Sequence, residues 1–258
     1  MTVRDSAWPD GTPCWADLMV PDRKKAMAFY GGLFGWDFAE GTEENGFYTI
    51  ARVDGRNVVG LMGTMPGQDA APAAWTVYLA TSDLDKTTAA VTEAGGQVVS
   101  PPMDVMTQGR MAVIADPAGA VFGLWQAGDH TGMQIANVPG AVSWNESMSR
   151  DYETAKAFYG KVFGYGFEDM SAPGFTYSVL TVGGEPVGGI GALPDDVPAQ
   201  VPAHWLSYFT VSDTDAVAAK AVELGGSVIT EPFDSPQGRL AALTDDQGAV
   251  FRVITLAR

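Results

Sequence analysis

Two acidic residues in matching sequence contexts are the first candidates for chemistry. Asp17 lies two positions after a tryptophan and two before a methionine, and Glu146 has the same neighbours 129 residues later. Alternate side chains of a strand share a face, so each carboxylate is expected to lie between an indole ring and a thioether. Such partial desolvation raises the pKa of a carboxyl group towards neutrality, where it can accept and return a proton. Asp17 and Glu146 are therefore the candidate catalytic residues.

A structural role is the alternative for both acids. Arg110 and Arg239 occupy matching Gln-Gly-Arg triplets in the two halves of the chain. Either guanidinium could form an ion pair with the acid of its own half, and such pairs shift carboxyl pKa values without any catalytic role. The sequence leaves both interpretations open.

The side chains expected to share a face with the two acids describe a binding cleft. They are mostly aromatic or apolar, with two phenol groups and one guanidinium as polar handles, which is typical of a pocket for a flat, largely apolar molecule. The candidate ligand-binding residues are Trp15, Met19, Thr76, Tyr78, Trp125, Trp144, Met148, Leu206, Tyr208 and Arg252. Inward-facing tryptophans also serve as core filling, so that alternative stays open for the aromatic members.

An internal duplication supplies the elements that must position these residues. The matching stretches, both at an offset of 129, are 15–35 with 144–164 and 108–122 with 237–251. Each half divides again into two units that contain a strand, a helix and further strands. We predict one domain over residues 8–126, a linker over 127–140 and a second domain over 141–258.

Local signals define the elements within each unit. Residues 13–20 predict a strand, and an N-cap at Asp22 with a C-cap at Gly35 bounds a helix with an apolar stripe. An Asp54-Gly55 turn predicts a hairpin, and an Asp-Pro-Ala-Gly turn at 116–119 joins the last two strands of the first half. The Phe-Tyr pairs on the first helix of each half are expected to pack against a sheet.

These motifs together resemble the vicinal oxygen chelate superfamily, which includes glyoxalase I, extradiol dioxygenases and bleomycin resistance proteins. The resemblance rests on Phe-Tyr followed by Leu/Val-Phe-Gly on the first helix of each half and on the Asp-Pro-x-Gly turn. It implies an α+β fold, with two tandem domains whose four βαβββ modules form curved sheets with helices outside. The segments Gly11-Thr12-Pro13-x-Trp15 and Gly-Leu-Trp-Gln at 123–126 are similar to a tandem, two-domain actinobacterial glyoxalase-like subgroup.

The resemblance also implies where a metal ion would be bound. In metal-dependent relatives the ligands lie on the first strand of each unit, seven residues before the helix-capping aspartate, and on the last strand, seven residues after the turn aspartate. The residues at these positions are Trp15, Trp144, Thr76, Leu206, Gly123 and Arg252. None is a usual ligand of a divalent ion, and an arginine would repel one. We therefore expect no metal and no other cofactor. A shifted alignment that recruits His204 still supplies too few ligands.

Composition narrows the class of partner. A net charge of −16 disfavours nucleic acids and anionic membranes as partners, since both require basic surfaces. The single cysteine, Cys14, is expected to be a small buried residue, and residues 1–12 lack the apolar core of a secretory signal, so we expect a cytoplasmic protein. Because the duplication already provides paired units, a monomer or weak homodimer is expected.

Three functions are compatible with these observations. The first is metal-independent binding of a small aromatic or apolar molecule, with a role in sequestration, resistance or secondary metabolism. The second is a cofactor-free enzyme of the aldol, isomerase or lyase type, acting by proton transfer on a polyketide-like substrate, with Asp17 or Glu146 as the base. The third is a metal-dependent lyase or dioxygenase, which the residues at the ligand positions disfavour.

Overall fold

Each half of the chain forms one eight-stranded mixed sheet in the computed structural model, which describes residues 1–64 and 72–257. The first half contains β1 (Thr2–Val3), β2 (Pro13–Val20), α1 (Arg23–Phe34), β3 (Asp37–Glu40), a 3-10 turn (Glu43–Asn45), β4 (Thr49–Val53), β5 (Arg56–Gly63), β6 (Ala74–Ala80), α2 (Leu84–Glu93), β7 (Gln97–Val105), β8 (Gly109–Ala115) and β9 (Val121–Ala127).

The second half repeats this series after a short linker strand. It contains β10 (Ile135–Ala136), β11 (Val142–Ser149), α3 (Tyr152–Phe163), β12 (Gly166–Asp169), β13 (Tyr177–Val182), β14 (Glu185–Ala192), β15 (His204–Thr210), α4 (Thr214–Glu223), β16 (Ser227–Ser235), β17 (Gly238–Thr244) and β18 (Val250–Leu256). The strand orders are β3-β4-β5-β2-β6-β9-β8-β7 and β12-β13-β14-β11-β15-β18-β17-β16. This confirms the predicted α+β architecture of four βαβββ modules.

Helix α1 begins where the sequence predicts, and the other three helices have the same kind of cap. Asp22, Asp83, Asp151 and Asp213 each accept a hydrogen bond from the backbone N–H three residues later, which satisfies an otherwise unpaired donor of the first turn. Helix α1 ends at Gly35 in the left-handed conformation (φ 71°), which glycine adopts without the steric penalty of a Cβ atom.

Several strands differ from the prediction. Strand β7 contains two consecutive prolines, Pro101 and Pro102, which it tolerates because it lies at the edge of its sheet and its register against β8 shifts between Ser100 and Met103. Strand β3 and the two-stranded sheet formed by β1 and β10 were not predicted, since segments of two to four residues carry little periodicity.

The helices of each half pack partly against the sheet of the other half. Phe34 of α1 lies 5.2 Å from Phe209 of β15, and Tyr159 of α3 lies 5.7 Å from Phe122 of β9, measured between ring centroids. The Phe-Tyr pairs thus pack helix against sheet as predicted, but they also join the two halves. Cys14 is buried, and burial raises the pKa of its thiol.

The helices of the described residues include none that is long and apolar enough to cross a bilayer. Helix-covered and helix-free faces alternate along the strands. In β2, Cys14, Ala16 and Leu18 face the helices and are almost fully buried. Their neighbours Trp15 and Asp17 therefore face the opposite side, and we call the helix-free faces of the first and second sheets the first cleft and the second cleft.

Candidate functional site

The first cleft holds a chain of hydrogen bonds centred on Asp17. Strand β2 places Asp17 between Gly60 of β5 and Thr76 of β6, with 5% of its surface exposed. Its Oδ2 accepts hydrogen bonds from the hydroxyls of Tyr78 at 3.0 Å and Tyr48 at 3.3 Å. The indole Nε1 of Trp15 donates to the Tyr48 oxygen at 2.8 Å and so fixes its position.

Burial dominates the titration of this network. It raises the pKa of Asp17 to about 7, although the hydrogen bonds from Tyr78 and Tyr48 oppose the shift. The pKa values of both tyrosines are raised by burial and by the neighbouring Asp17, so their hydroxyls remain donors. A pKa in this range suits a group that accepts and returns a proton near neutral pH, and the catalytic role of Asp17 stays a prediction.

The second cleft repeats the network with one addition. The Oε2 of Glu146 accepts a hydrogen bond from Tyr177 at 3.0 Å, and its Oε1 accepts one from Tyr208 at 2.7 Å. Trp144 donates to the Tyr177 oxygen at 2.8 Å, as Trp15 does to Tyr48. In addition, Nη1 of Arg252 lies 3.2 Å from Oε1 of Glu146 and also donates to the Tyr208 hydroxyl.

The ion pairs suggested by the sequence are wrong. Arg110 binds Asp85 and Asp104 at the surface of the first half, at 2.8 and 3.0 Å. Arg239 binds the equivalent surface residues Asp215 and Asp234. These arginines lie near the ends of their hairpins, where the register directs them to exposed acids. The cation that contacts a cleft carboxylate is Arg252 instead.

Tyr48 and Tyr177 are network members that were not predicted from the sequence. They are 129 residues apart, as are Gly60 and Gly189, and this shared offset was the available signal. A Cβ atom at either glycine would overlap the hydroxyl of the tyrosine beside it. Likewise, a Cβ at Gly123 would overlap the ring of Tyr78. The glycines thus provide the space in which the phenol rings lie against the strands.

The linker closes one end of the first cleft. The ring of His130 lies edge-on to Trp15 with a centroid distance of 4.3 Å, and Trp125 donates to the backbone oxygen of His130 at 2.9 Å. Both tryptophans are consequently buried. Burial also lowers the pKa of His130 to about 4. In this arrangement Trp15 and Trp125 contact the linker instead of facing an open cleft.

The opposite end differs between the two clefts. In the first cleft, Met19 and Thr76 are half-buried. Their equivalents Met148 and Leu206 are 6% exposed, because they pack with Leu193 and Val197 of the segment between β14 and β15. Trp144 is half-buried. All ten predicted ligand-binding residues therefore lie on the helix-free faces or their ends, but they belong to two separate clefts.

A cavity of about 310 Å³ lies at the rim of the first cleft. Tyr48 and Met62 belong to both the cleft and the cavity wall. Arg23 completes the wall on the helix side, paired with Glu40 at 3.0 Å and with its guanidinium 5.8 Å from the ring centroid of Phe47. The cavity thus combines aromatic, thioether and cationic surfaces next to the Asp17 network.

The side chains at the positions that the resemblance assigns to metal ligands do not fit a divalent ion. Trp15 and Trp144 use their indole N–H groups to bind tyrosines, and Arg252 places a positive charge in the second cleft. Within residues 1–64 and 72–257, no three or more His, Cys, Asp or Glu side chains are grouped to hold a metal ion. The expectation of a metal-free site stays a prediction.

Comparison with known proteins identifies the family. The model of the Glyoxalase/Bleomycin resistance protein/Dioxygenase superfamily matches residues 14–124 and 142–253. Protein CFP32 of Mycobacterium tuberculosis (strain CDC 1551 / Oshkosh), which is named as a glyoxylase, is 41% identical over 254 residues, 96% of each chain. Anthracycline biosynthesis protein DnrV of Streptomyces peucetius is 42% identical over 259 residues, 95% of this chain and 94% of DnrV.

A solved structure shares the fold. The Mn(II)-bound glyoxalase from Novosphingobium aromaticivorans superposes with a TM-score of 0.67 and 18% identity, covering 95% of this chain and 82% of that one. At this level of identity the similarity concerns the fold alone. The family match over both halves and the two relatives above 40% identity show that this chain belongs to the Glyoxalase/Bleomycin resistance protein/Dioxygenase superfamily.

Proposed function

We propose that this protein binds a small, flat, largely apolar aromatic molecule without a metal ion. The observation that carries the proposal is the tryptophan–tyrosine–carboxyl–tyrosine network, in which Trp15, at a position where a metal would need a ligand, donates a hydrogen bond instead. Aromatic walls with a few buried polar groups suit a planar ligand that bears hydroxyl or carbonyl groups.

The relatives and the charge of the chain support the same class of ligand. DnrV is named for anthracycline biosynthesis, and anthracyclines are planar polycyclic compounds with phenol and quinone groups. A role in secondary metabolism, in sequestration or in resistance would use such binding. The net charge of −16 favours small organic ligands over nucleic acids, and we place the protein in the cytoplasm as a monomer or weak homodimer.

The test combines metal analysis with a binding measurement. The purified protein is titrated with 1,8-dihydroxyanthraquinone, using tryptophan fluorescence, before and after treatment with EDTA. We expect saturable binding that EDTA does not change, and a metal content far below one ion per chain. A stoichiometric divalent metal, or binding that is lost with EDTA and restored by a metal, would overturn the proposal.

A second candidate function, proton transfer by a cofactor-free enzyme, is favoured by Asp17 in particular. Its carboxyl group exchanges a proton near neutral pH, and one of its oxygens, Oδ1, accepts no hydrogen bond from any described residue. As a base, Asp17 would take a proton from the carbon next to a ketone and leave the negative charge on the ketone oxygen. Return of the proton to another atom would complete an isomerisation.

Deuterium exchange tests this second function directly. 2-Tetralone, a bicyclic aromatic ketone with acidic α-protons, is incubated with the protein in D₂O and followed by proton NMR. We expect faster loss of the α-proton signals with the unsubstituted protein than with Asp17→Asn, which retains the size of the side chain but cannot act as the base. Exchange at the buffer rate with the unsubstituted protein would reject the enzymatic function.

A further inference from the structure

The two clefts have diverged, and we infer that the first cleft is the ligand site whereas the second is a closed structural copy. This inference rests on the proposed function and adds to it which cleft is used and which ligand chemistry it accepts. The ligand would be a neutral, planar molecule with a hydroxyl group that forms a hydrogen bond with Oδ1 of Asp17.

The carboxyl groups provide the first argument. Both oxygens of Glu146 are used: Oε2 accepts from Tyr177, and Oε1 accepts from Tyr208 and Arg252. In Asp17, both tyrosines bind Oδ2, and Oδ1 has no hydrogen-bond donor among the described residues. Oδ1 therefore keeps a hydrogen-bonding capacity that no described residue uses, and a ligand hydroxyl can meet it by accepting from the protonated group or donating to the ionised one.

The charge next to each carboxyl group gives the second argument. Arg252 occupies the position of Gly123, so the guanidinium stands in the second cleft where the first has only a hydrogen atom. No lysine or arginine of the described chain forms a hydrogen bond or ion pair with Asp17. Since its neighbours are neutral phenols and its burial disfavours the charged form, the first cleft suits a neutral ligand.

The way each cleft is closed gives the third argument. The segment between β14 and β15 packs Leu193 and Val197 onto Met148 and Leu206, and Arg150 holds this segment through the backbone oxygens of Val197 and Pro198 at 3.0 and 2.8 Å. This apolar cluster fills the second cleft at the end where Met19 and Thr76 of the first remain half-buried.

The cavity at the rim adjoins the first cleft near the end opposite the linker. The linker closes the Trp15 end through His130, and the cavity of about 310 Å³ meets the cleft at Tyr48 and Met62, near its other end. This volume is at the lower limit for a small organic ligand, which can extend from the cavity towards Asp17. Tyr48 connects the two, because its ring lines the cavity and its hydroxyl binds Asp17.

The duplication offers matched variants for the test. Ile50 and Val179 are equivalent half-buried residues that pair with Gly60 and Gly189 and face the first and second clefts respectively. Ile50→Trp therefore fills the first cleft, and Val179→Trp fills the second, with similar demands on folding. Thermal melting of each variant shows whether it remains folded.

Binding of 2-hydroxyanthraquinone, whose hydroxyl is free of any internal hydrogen bond to the quinone oxygens, is measured by titration calorimetry at pH 6, where this phenol is mostly neutral. We expect one molecule bound per chain, a loss of affinity of at least about tenfold in Ile50→Trp and in Asp17→Leu, whose apolar side chain offers no hydrogen bond, and unchanged affinity in Val179→Trp. Two molecules bound per chain would overturn the assignment while the proposed function stands. So would weaker binding in Val179→Trp together with unchanged affinity in Ile50→Trp. Absence of any binding to the unsubstituted protein would instead reject the proposed function itself.

Discussion

Asp17 and Glu146 have matching partners except at one position. Each accepts hydrogen bonds from two tyrosines, and in each cleft a tryptophan holds one of these tyrosines in place. The difference is Arg252, which provides Glu146 with a counter-charge that Asp17 lacks. A buried carboxyl group without a counter-charge keeps its proton to higher pH, so one substitution at the edge of the network changes what the carboxyl group can do.

Replacing Asp17 by asparagine is expected to stabilise the fold at alkaline pH. Burial raises the pKa of Asp17 from 3.8 to about 7 in the folded protein. The stability contributed by the protonated form is therefore fully present below about pH 4 and is lost as the pH rises through 7. Asparagine avoids this loss, so the free energy of unfolding of Asp17→Asn relative to the unsubstituted protein should rise by up to roughly 4 kcal/mol between pH 4 and 8. Urea denaturation at several pH values measures it.

Asp85→Asn is the control for this pH dependence. The guanidinium of Arg110 lowers the pKa of the exposed Asp85, so its ionised form contributes stability above the unfolded pKa. The relative stability of Asp85→Asn is thus expected to fall slightly as the pH rises, opposite in sign to Asp17→Asn. A relative stability of Asp17→Asn that is independent of pH would contradict the burial argument.

Gly60→Ala is expected to disrupt the first network. The new methyl group would overlap the Tyr48 hydroxyl, which cannot move freely because Trp15 and Asp17 both bind it. Overpacking of this kind costs about 1–3 kcal/mol. Gly63→Ala, on the same strand, is the control, since no described residue has an atom within 4 Å of a Cβ atom there. Equal unfolding free energies for the two variants would show that Tyr48 is not held as described.

At the scale of elements, the linker does more than connect the two sheets. Its strand β10 pairs with β1 at the start of the chain, and the backbone N–H of Met133 donates to the oxygen of Cys14 on β2. Between these contacts and β9, His130 packs against Trp15 and Trp125. The linker therefore shapes one end of the first cleft and is part of the surroundings of the Asp17 network.

His130→Phe is expected to make the linker less sensitive to acid. Burial lowers the pKa of His130 from 6.5 to about 4, so the stability associated with the neutral ring is present above pH 6.5 and is lost as the pH falls towards 4. Phenylalanine preserves the contact with both tryptophans and takes up no proton. The Tm of His130→Phe relative to the unsubstituted protein should therefore increase from pH 7 to pH 4. The same trend in His204→Phe, a change at the start of β15, would contradict this origin.

The sequence predicted the helices and strands better than the contacts between their side chains. Caps, turns and the 129-residue offset are local or repeated signals, so the four modules and the strand that carries Asp17 followed from them. The hydrogen-bond partner Tyr48 could not be identified from strand periodicity alone, because its contact with Asp17 depends on the register of β4 against β5 and on the space at Gly60. Similarly, the acids that bind Arg110 depend on the register of β7 against β8, which the spacing of residues in the sequence does not specify.

At the scale of the molecule, reciprocal contacts join the two halves. Tyr30 of α1 donates to Asp245 in the second half at 3.1 Å, and Tyr159 of α3 donates to Asp116 in the first half at 3.0 Å. Each tyrosine also accepts a hydrogen bond from a tryptophan of the first strand in the second module of its own half. Because each half completes the helix packing of the other, residues of both halves form shared hydrophobic clusters that join the two sheets.

This reciprocal packing predicts that the halves unfold together. Phe209 is fully buried in the second half and lies 5.2 Å from Phe34 and 5.3 Å from Trp75 of the first half, between ring centroids. Phe209→Ala is expected to lower the free energy of unfolding by about 3–5 kcal/mol, as for other buried phenylalanines, and to preserve a single transition in tryptophan fluorescence and circular dichroism. Phe233→Ala, at a side chain that is 47% exposed, is the control and should change little. Phe209→Ala could instead produce two separate transitions, with the first half unfolding at its original midpoint. In that case the core between the halves would not couple their unfolding, and each sheet would be an independent folding unit.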